Sequence, residues 1–289
     1  MELWHALILG LVEGLTEYLP VSSTGHLLIV QRLLGIGSSE AANAYAIVIQ
    51  AGAIAAVLGL YRQRVQQILA GVTRGEPVGR RLAGALLLAF VPAAVLGLSV
   101  GDYIEEQLFG PWPVVVAWAA GGVLLLCLPK QFQSRPGLGL EGITWRVALV
   151  VGLAQCAALW PGVSRSLATI LGGLAAGLSL IAAVEFSFLL GLITLGAATA
   201  YKALDSGEAM LQAYGVLEIV AGFIVAWGSA ALAVRWMVGW LNRRGLALFG
   251  WWRLAAAGIV VGLILSGEFA SAEVLDGSEG VEQHPNHDS

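Results

Sequence analysis

The sequence predicts an all-α, polytopic membrane protein with six transmembrane helices and two re-entrant helix pairs in inverted-topology repeats. The 289 residues have a mean hydropathy of +0.81, and only 12% of them are charged. A soluble chain of this length would need far more charge to cover its surface. The 38 glycines are typical of helices that pack closely in lipid. The repeats and the breaks within them are visible in the sequence itself.

One short segment occurs twice, 142 residues apart. Residues 6–22 read ALILGLVEGLTEYLPVS, and residues 148–164 read ALVVGLAQCAALWPGVS. Ala, Leu, Gly, Leu, Val and Ser recur at matching places without a gap. The first copy carries Glu13 and Glu17, whereas Arg165 directly follows the second copy. Acid in one half and base in the other predict a site assembled between two repeats.

Six apolar stretches are long enough to cross a bilayer, which takes ~20 mostly apolar residues. They lie at approximately 43–61, 82–101, 112–129, 182–201, 213–234 and 252–267. We expect a single membrane domain over 1–268, with repeats at about 1–129 and 143–268. An acidic tail over 269–289 follows, and its composition predicts disorder.

Two further apolar regions, 3–35 and 143–177, are each interrupted near the middle by proline and serine. The interruptions are at 20–23 and 161–164. Each half is too short to span, so each region is predicted to enter and leave the membrane on one face. Broken backbone at this depth is tolerated only where it is buried in protein or lines a wet cavity.

The basic residues predict the orientation. Loops 62–81, 130–146 and 235–253 carry 12 of the 15 Lys and Arg residues, and basic loops stay in the cytoplasm. All three loops fall on one side only if the six stretches span and the interrupted regions do not. The opposite side receives Asp102, Glu105, Glu106, Asp205, Glu208 and the acidic tail. Both termini are therefore expected outside, and the interrupted regions enter from opposite faces.

Glu13 and Glu17 are four residues apart, which places them on one face of a helix. An ionised carboxylate at a helix centre in lipid costs about 2.5–3.5 kcal/mol, and two like charges are worse. The pair therefore needs a divalent metal, Arg165 or a shared proton. The alternative is a polar stripe that lines a water-filled dip, with one glutamate protonated.

Ser22, Ser23, Thr24, Gly25 and His26 follow the first break. Ser22 is a natural N-cap, and a helix N-terminus with hydroxyls and free N–H groups binds phosphate well. His26 lies three residues beyond Ser23 on the same helical face, so it could accept the serine proton or hold a phosphate oxygen. The alternative is that the hydroxyls only cap the helix and the histidine is simply hydrogen-bonded.

The second break carries Ser164, Arg165, Ser166 and Thr169 in the matching position. Arg165 is the only Lys or Arg within 147–201, and an unpaired arginine at membrane depth is too costly to be incidental. Its guanidinium can clamp phosphate oxygens with two N–H groups. A structural ion pair with one of the glutamates is the alternative, and it also brings the two motifs together.

Gln50 and Glu185 are polar residues in the helices that follow the two interrupted regions. We expect Gln50 to contribute to the substrate-binding site and Glu185 to support it. A simple position at a helix end explains Glu185 equally well.

The order of these motifs resembles the undecaprenyl-diphosphate phosphatase family, also called the bacitracin-resistance family. The shared features are Glu13-x-x-x-Glu17, Ser22-Ser23 with His26, and Pro-Gly-x-Ser-Arg-Ser at 161–166. The resemblance extends from about residue 1 to residue 268. It implies an integral membrane enzyme that removes one phosphate from the C55 isoprenoid diphosphate, with a divalent cation, and returns the lipid carrier to cell-wall synthesis.

The expected mechanism gives each motif a role. Ser23 attacks the terminal phosphorus, with His26 or Glu17 accepting its proton. Arg165 and the backbone at 22–25 hold phosphate oxygens, as do the hydroxyls of the second break. Attack by water, with Ser23 only donating a hydrogen bond, is the competing scheme.

Glu13 and Glu17 are the expected ligands of the cation, Mg²⁺ or Ca²⁺, since hard cations prefer oxygen and bridge phosphates. The expected partners are the lipid diphosphate and the bilayer, with no nucleic acid; a homodimer is left open. The expected location is the bacterial inner membrane, with the site facing the periplasm.

Two other functions compete with this one. Inverted repeats with broken helices are also typical of transporters, so a flippase for prenyl phosphate is the alternative. The acid-phosphatase-like lipid phosphatases are a weaker one, because they need a histidine after the Ser-Arg element. Here the histidines after Arg165 are confined to the tail.

Overall fold

The computed structural model describes residues 2–36, 40–134 and 136–267, and these form twelve α-helices and two 3₁₀ turns. The helices are α1 (Leu3–Thr16), α2 (Ser23–Leu33), α3 (Glu40–Leu60), α4 (Arg62–Arg74), α5 (Pro77–Leu108), α6 (Pro111–Cys127), α7 (Lys130–Ser134), α8 (Trp145–Cys156), α9 (Arg165–Ala175), α10 (Leu180–Ala213), α11 (Val216–Arg244) and α12 (Ala247–Leu265). The turns are Leu140–Gly142 and Ala157–Leu159. In the described ranges the only strand-like pairing is one bridge between Leu138 and Leu178, so the all-α class is confirmed.

Four helices are long and apolar enough to cross a membrane. They are α5 over Pro77–Gly101, α10 over Leu180–Leu204, and the whole of α11 and α12. Shorter apolar helices are Leu3–Thr16, Val48–Leu60, Pro111–Cys127 and Trp145–Leu159. The multi-pass membrane character is thereby confirmed. The predicted spans 43–61 and 112–129 correspond to helices with shorter apolar parts, so the count of six spans stays a prediction.

Helix ends follow local chemistry. Pro111 is the first residue of α6, where its missing N–H costs no helical hydrogen bond. Thr144 caps α8 by accepting a hydrogen bond from the Val147 N–H, 3.4 Å away. Gly75 ends α4 with φ +75°, a conformation that glycine adopts without strain.

Helices of each half of the chain pack against helices of the other half. Helix α1 lies on α11, and its counterpart α8 lies on α5, while α3 packs on α10 and α6 on α12. The contacts use glycines at equivalent places in the repeat. A Cβ at Gly10 would lie 2.5 Å from the Gly222 carbonyl oxygen, and one at Gly152 would lie 2.6 Å from that of Ala89. Each broken segment is thus held against a long helix of the other half.

The structure corrects one part of the charge argument. Arg253 was assigned to a basic cytoplasmic loop, but it lies inside α12 and is completely buried. The assignment was wrong because α12 begins at Ala247, so Arg253 lies almost two turns into the helix. Arg135 and the tail 269–289 lie outside the described residues.

Candidate active site

Both breaks place a serine in a rare backbone conformation. Ser22 has φ +72° and Ser164 has φ +78°, and among the described residues these are the only non-glycine residues with positive φ. Each caps the following helix. The Ser22 Oγ accepts from the Gly25 N–H at 3.4 Å, and the Ser164 Oγ accepts from the Leu167 N–H at 3.2 Å. Such conformations cost about 1–3 kcal/mol and persist where surrounding contacts enforce them.

The two breaks are in direct contact. The Ser166 hydroxyl of the second break donates to the Leu19 carbonyl of the first at 2.8 Å. Arg253 completes the junction from α12, with its guanidinium donating to five backbone carbonyls. These belong to Pro20 (3.3 Å), Val163 (3.2 Å), Gly162 (2.8 Å), Ala117 (2.8 Å) and Trp118 (3.4 Å).

The junction brings three predicted residues into one hydrogen-bonded cluster. The Glu17 carboxylate accepts from the Ser23 hydroxyl through Oε2. Its other oxygen, Oε1, accepts from Arg165 Nη2 at 3.3 Å. Glu17 ends α1 and Ser23 begins α2 only six residues later, whereas Arg165 begins α9, 148 residues from Glu17. The hydroxyl of Ser23 therefore already points its proton at a carboxylate.

Arg165 lies in a cradle that leaves one donor free. Its Nη1 donates to the Ser187 carbonyl at 2.8 Å, and its Cζ lies 5.3 Å from the centre of the Tyr18 ring. A Cβ at Gly191 would lie 2.5 Å from Nη1, so a larger residue there would displace the guanidinium. The Arg165 Nε and the Tyr18 hydroxyl are buried without a hydrogen-bond partner. Buried donors without a partner favour an oxygen-rich, anionic ligand.

Glu13 extends the cluster toward a cation site. Glu13 is buried one helical turn before Glu17, whose backbone N–H donates to the Glu13 carbonyl at 2.9 Å. Two carboxylates four residues apart lie on one face of the helix, where a divalent cation could neutralise both. In the described part of the chain no three His, Cys, Asp or Glu side chains are grouped as a metal site. Two carboxylates fit Mg²⁺, which commonly takes its remaining ligands from water and substrate phosphate.

His26 has both ring nitrogens engaged away from Ser23. Its Nδ1 lies 2.7 Å from the Ser22 carbonyl oxygen, and its Nε2 accepts from the Trp252 indole N–H at 3.0 Å. Because a carbonyl only accepts and an indole N–H only donates, these partners assign the proton to Nδ1. Of the two proton acceptors that the sequence left open, Glu17 is the one in contact with Ser23.

The other predicted substrate-binding residues differ in their surroundings. Thr24 is exposed at the start of α2. Gly25 lies against the Trp118 ring, since a Cβ there would come within 2.9 Å of it. The Ser164 hydroxyl lies 2.9 Å from that of Ser166.

Thr169 is hydrogen-bonded to the backbone of Arg165 and to Ser187. Its hydroxyl donates to the Arg165 carbonyl at 2.8 Å and lies 2.7 Å from the Ser187 hydroxyl. Ser187 in turn supplies the carbonyl that holds the guanidinium. The predicted role of Thr169 in binding substrate directly stays a prediction.

Gln50 and Glu185 have their hydrogen-bond partners elsewhere. The Gln50 amide oxygen accepts from the Thr199 hydroxyl at 3.0 Å. Glu185 pairs with Arg64 at 2.7 Å, and Arg64 also pairs with Glu141 at 3.0 Å. The Glu185 pair raises the pKa of Arg64. Glu185 therefore belongs to an ion-pair network with α4 that does not include the Ser23 cluster.

Sequence reasoning missed Arg253, Gly191, Tyr18 and Trp252. Arg253 carried a usable signal, because an arginine inside an apolar stretch is a functional or structural landmark. Gly191 and Tyr18 looked like ordinary glycine and aromatic content of a membrane helix. Trp252 could not be linked to His26, from which it is separated by 226 positions.

The fold and the site together define the class: a multi-pass helical membrane protein whose buried serine, carboxylates and arginine suit a phosphate group. The comparisons with known proteins narrow this class. The family model described as bacitracin resistance protein BacA matches residues 6–260. The chain therefore belongs to the bacitracin-resistance family.

Curated relatives match this chain along most of their length. An undecaprenyl-diphosphatase of Sorangium cellulosum is 46% identical over 264 residues, which are 90% of this chain and 86% of the relative. One of Ectopseudomonas mendocina is 45% identical over 88% of this chain and 92% of the relative. Undecaprenyl-diphosphatase 1 of Chromobacterium violaceum is 43% identical over 92% and 97%.

Proposed function

We propose that this protein is a membrane phosphatase that hydrolyses undecaprenyl diphosphate to undecaprenyl phosphate and inorganic phosphate. Its relatives at 40–46% identity are named for this activity. The observation that carries the proposal is the contact of the Ser23 hydroxyl with Glu17, which also pairs with Arg165. A hydroxyl, a proton acceptor and an anion-binding guanidinium are the parts that phosphoryl transfer needs.

In the proposed reaction Ser23 is the nucleophile. Its Oγ forms a bond to the terminal phosphorus, Glu17 takes the hydroxyl proton, and the bond from that phosphorus to the bridging oxygen breaks. The leaving group is the lipid phosphate monoester, which needs little acid assistance. Water then hydrolyses the phosphoserine. This releases inorganic phosphate and regenerates the Ser23 hydroxyl.

Arg165 would stabilise the negative charge on the phosphate oxygens during this step. Its Nε and the Tyr18 hydroxyl are buried donors without a hydrogen-bond partner, and donors fixed before the reaction contribute most to rate. Glu13 and Glu17 are the residues that would hold Mg²⁺ or Ca²⁺. When bound, such a cation supplies neutralisation of the diphosphate charge.

Helix lengths support two re-entrant pairs. Helices α1, α2, α8 and α9 have 14, 11, 12 and 11 residues. Even the longest of them extends only about 21 Å, whereas the hydrocarbon core is about 30 Å thick. We therefore propose six spans and two hairpins that meet at mid-membrane. We further propose that the protein resides in the inner membrane, with the site facing the periplasm and the basic segments 62–81 and 130–146 in the cytoplasm.

The test is release of inorganic phosphate from the C55 diphosphate by purified protein in detergent. Glu17→Ala and Arg165→Ala should each abolish most of the release while the elution profile and thermal midpoint stay close to wild type. Arg64→Ala is the matched control, because it removes a guanidinium from another ion pair and should release phosphate normally. Wild-type protein that releases no phosphate would refute the proposal and leave a flippase as the alternative.

A phosphoserine trapped at Ser23 by rapid acid quench would support the covalent scheme. Ser23→Ala with full single-turnover activity would instead establish direct attack by water.

A further inference from the structure

We propose that Trp252 is a positioning residue for the hydrolysis, acting through His26 on the turn that presents Ser23. This inference rests on the proposed role of Ser23. Trp252 lies on α12, and its contact with His26 connects the end of the second half to the first break.

The His26 ring is held by two aromatic neighbours. The Trp252 indole N–H donates to Nε2 at 3.0 Å, and the two rings are nearly parallel, with an angle of 15° between their planes. The Trp118 ring lies 4.5 Å from the imidazole, centre to centre. Gly25 keeps the space that the Trp118 ring occupies. Trp252 thus supplies a directed hydrogen bond in addition to packing.

The hydrogen bond of Trp252 selects the tautomer of His26. A neutral imidazole has one donor and one acceptor. When the indole N–H occupies Nε2, the proton must be on Nδ1, where it donates to the Ser22 carbonyl oxygen. Without the indole N–H the proton can move to Nε2, and Nδ1 would then direct a lone pair at the carbonyl oxygen.

The Ser22 carbonyl links the tautomer of His26 to the position of Ser23. Ser22 has the strained φ of +72°, and its carbonyl oxygen accepts both from His26 Nδ1 and from the His26 backbone N–H at 3.3 Å. The peptide that contains this carbonyl continues into Ser23. Holding the carbonyl therefore holds the direction in which the Ser23 hydroxyl meets Glu17.

Trp252→Phe keeps the ring but removes the N–H. We expect kcat for phosphate release to fall about fivefold to tenfold, the size of one neutral hydrogen bond, with KM little changed. Trp251→Phe is the matched control, since Trp251 is the neighbouring tryptophan and is similarly exposed, at 63% against 54%. It should behave as wild type. Equal losses in the two variants would overturn the proposal.

Substitution of His26 by Asn or Gln distinguishes the roles of its two ring nitrogens. Asn places its N–H near the position of Nδ1 and can donate to the Ser22 carbonyl, whereas Gln reaches toward the position of Nε2. His26→Asn should therefore retain more activity than His26→Gln. In the His26→Asn background Trp252→Phe should cause no further loss, because no tautomer remains to be selected. An undiminished loss there would show that Trp252 acts by packing alone.

A spectroscopic measurement tests the inference independently of hydrolysis. The ¹⁵N resonances of His26, assigned by their absence in His26→Asn, should show a protonated Nδ1 in wild type and a mixture of tautomers in Trp252→Phe. If wild type hydrolyses no lipid diphosphate, the function fails but this result still stands. If the tautomer is unchanged in Trp252→Phe, the inference fails and the proposed function stands.

Discussion

Arg165 and Arg253 are two arginines at the junction of the breaks, the first largely and the second completely buried, and they differ in how their donors are satisfied. Arg253 directs its guanidinium at five backbone carbonyls. Arg165 uses Nη1 and Nη2 but leaves the buried Nε unpaired. A guanidinium has five N–H donors, so the first is fully used by the protein and the second is not. Arg253 therefore holds the backbone of the junction together, whereas Arg165 keeps a donor that the protein does not use.

The largest expected effect is on activity, at Arg165. Arg165→Ala should lower kcat/KM for phosphate release by about 10²–10³-fold, as removal of one preorganised donor does elsewhere. The thermal midpoint in detergent should stay close to wild type, because the lost contacts with Ser187 and Glu17 are few. Steady-state kinetics together with a melting curve check both halves of this prediction. A collapsed melting curve with normal kcat would reverse the comparison.

Arg253→Met should show the opposite pattern. Loss of the guanidinium removes this donor from the carbonyls of Pro20, Gly162 and Val163, at about 1 kcal/mol or more for each that stays buried, whereas Ala117 and Trp118 lie inside α6. We expect reduced yield and a large fall in the thermal midpoint, measured by fluorescence-detected size exclusion. Arg253→Lys, with three donors, should fall between. A stable Arg253→Met protein that is merely inactive would make this arginine catalytic.

Glycine substitutions sharpen the comparison because each displaces one arginine. Gly191→Ala brings a Cβ within 2.5 Å of Arg165 Nη1, and Gly121→Ala brings one within 2.5 Å of Arg253 Nη2. The first should lower kcat/KM about tenfold with little change in stability, and the second should lower stability. Gly196→Ala is the control on the same helix as Gly191, where no atom lies within 4 Å. A loss in Gly196→Ala as large as in Gly191→Ala would remove the argument.

The smallest expected effect concerns the ion pairs on α4. The pKa of the Glu141 carboxyl is lowered first by a hydrogen bond from the Glu141 backbone N–H and then by the Arg64 guanidinium. A lowered folded-state pKa gives stability that is present above the unfolded pKa and lost as pH falls through the folded one. Glu141→Gln should therefore melt slightly below wild type at neutral pH and converge with it in acid. Midpoints recorded across pH check this, and a difference that grows in acid would contradict it.

The sequence could predict the site's acidic and basic parts because burying charge in lipid is expensive. Glu13, Glu17 and Arg165 had to find partners, and the repeat indicated that the two halves would supply them to each other. The N-cap at Ser22 followed from residue type and position, and the structure confirms it. The cation, the number of spans and a homodimer stay predictions.

What could not be predicted depends on contacts between residues far apart in the chain. His26 looked like a proton acceptor because it shares a helical face with Ser23, but Trp252 and the Ser22 carbonyl occupy its nitrogens. Glu185 looked like a neighbour of the site, but α4 places Arg64 beside it. Counting charges along the sequence placed Arg253 in a loop, because such a count does not show how deep a residue lies in the membrane.

The position of Arg253 in α12 has a consequence for biosynthesis. Glu13, Glu17, Ser23 and Arg165 all leave the ribosome before α12, the last of the described helices. Until α12 inserts, nothing can donate to the carbonyls of Pro20, Gly162 and Val163 from its position. The junction of the two breaks is therefore completed only when synthesis of the membrane domain is nearly over.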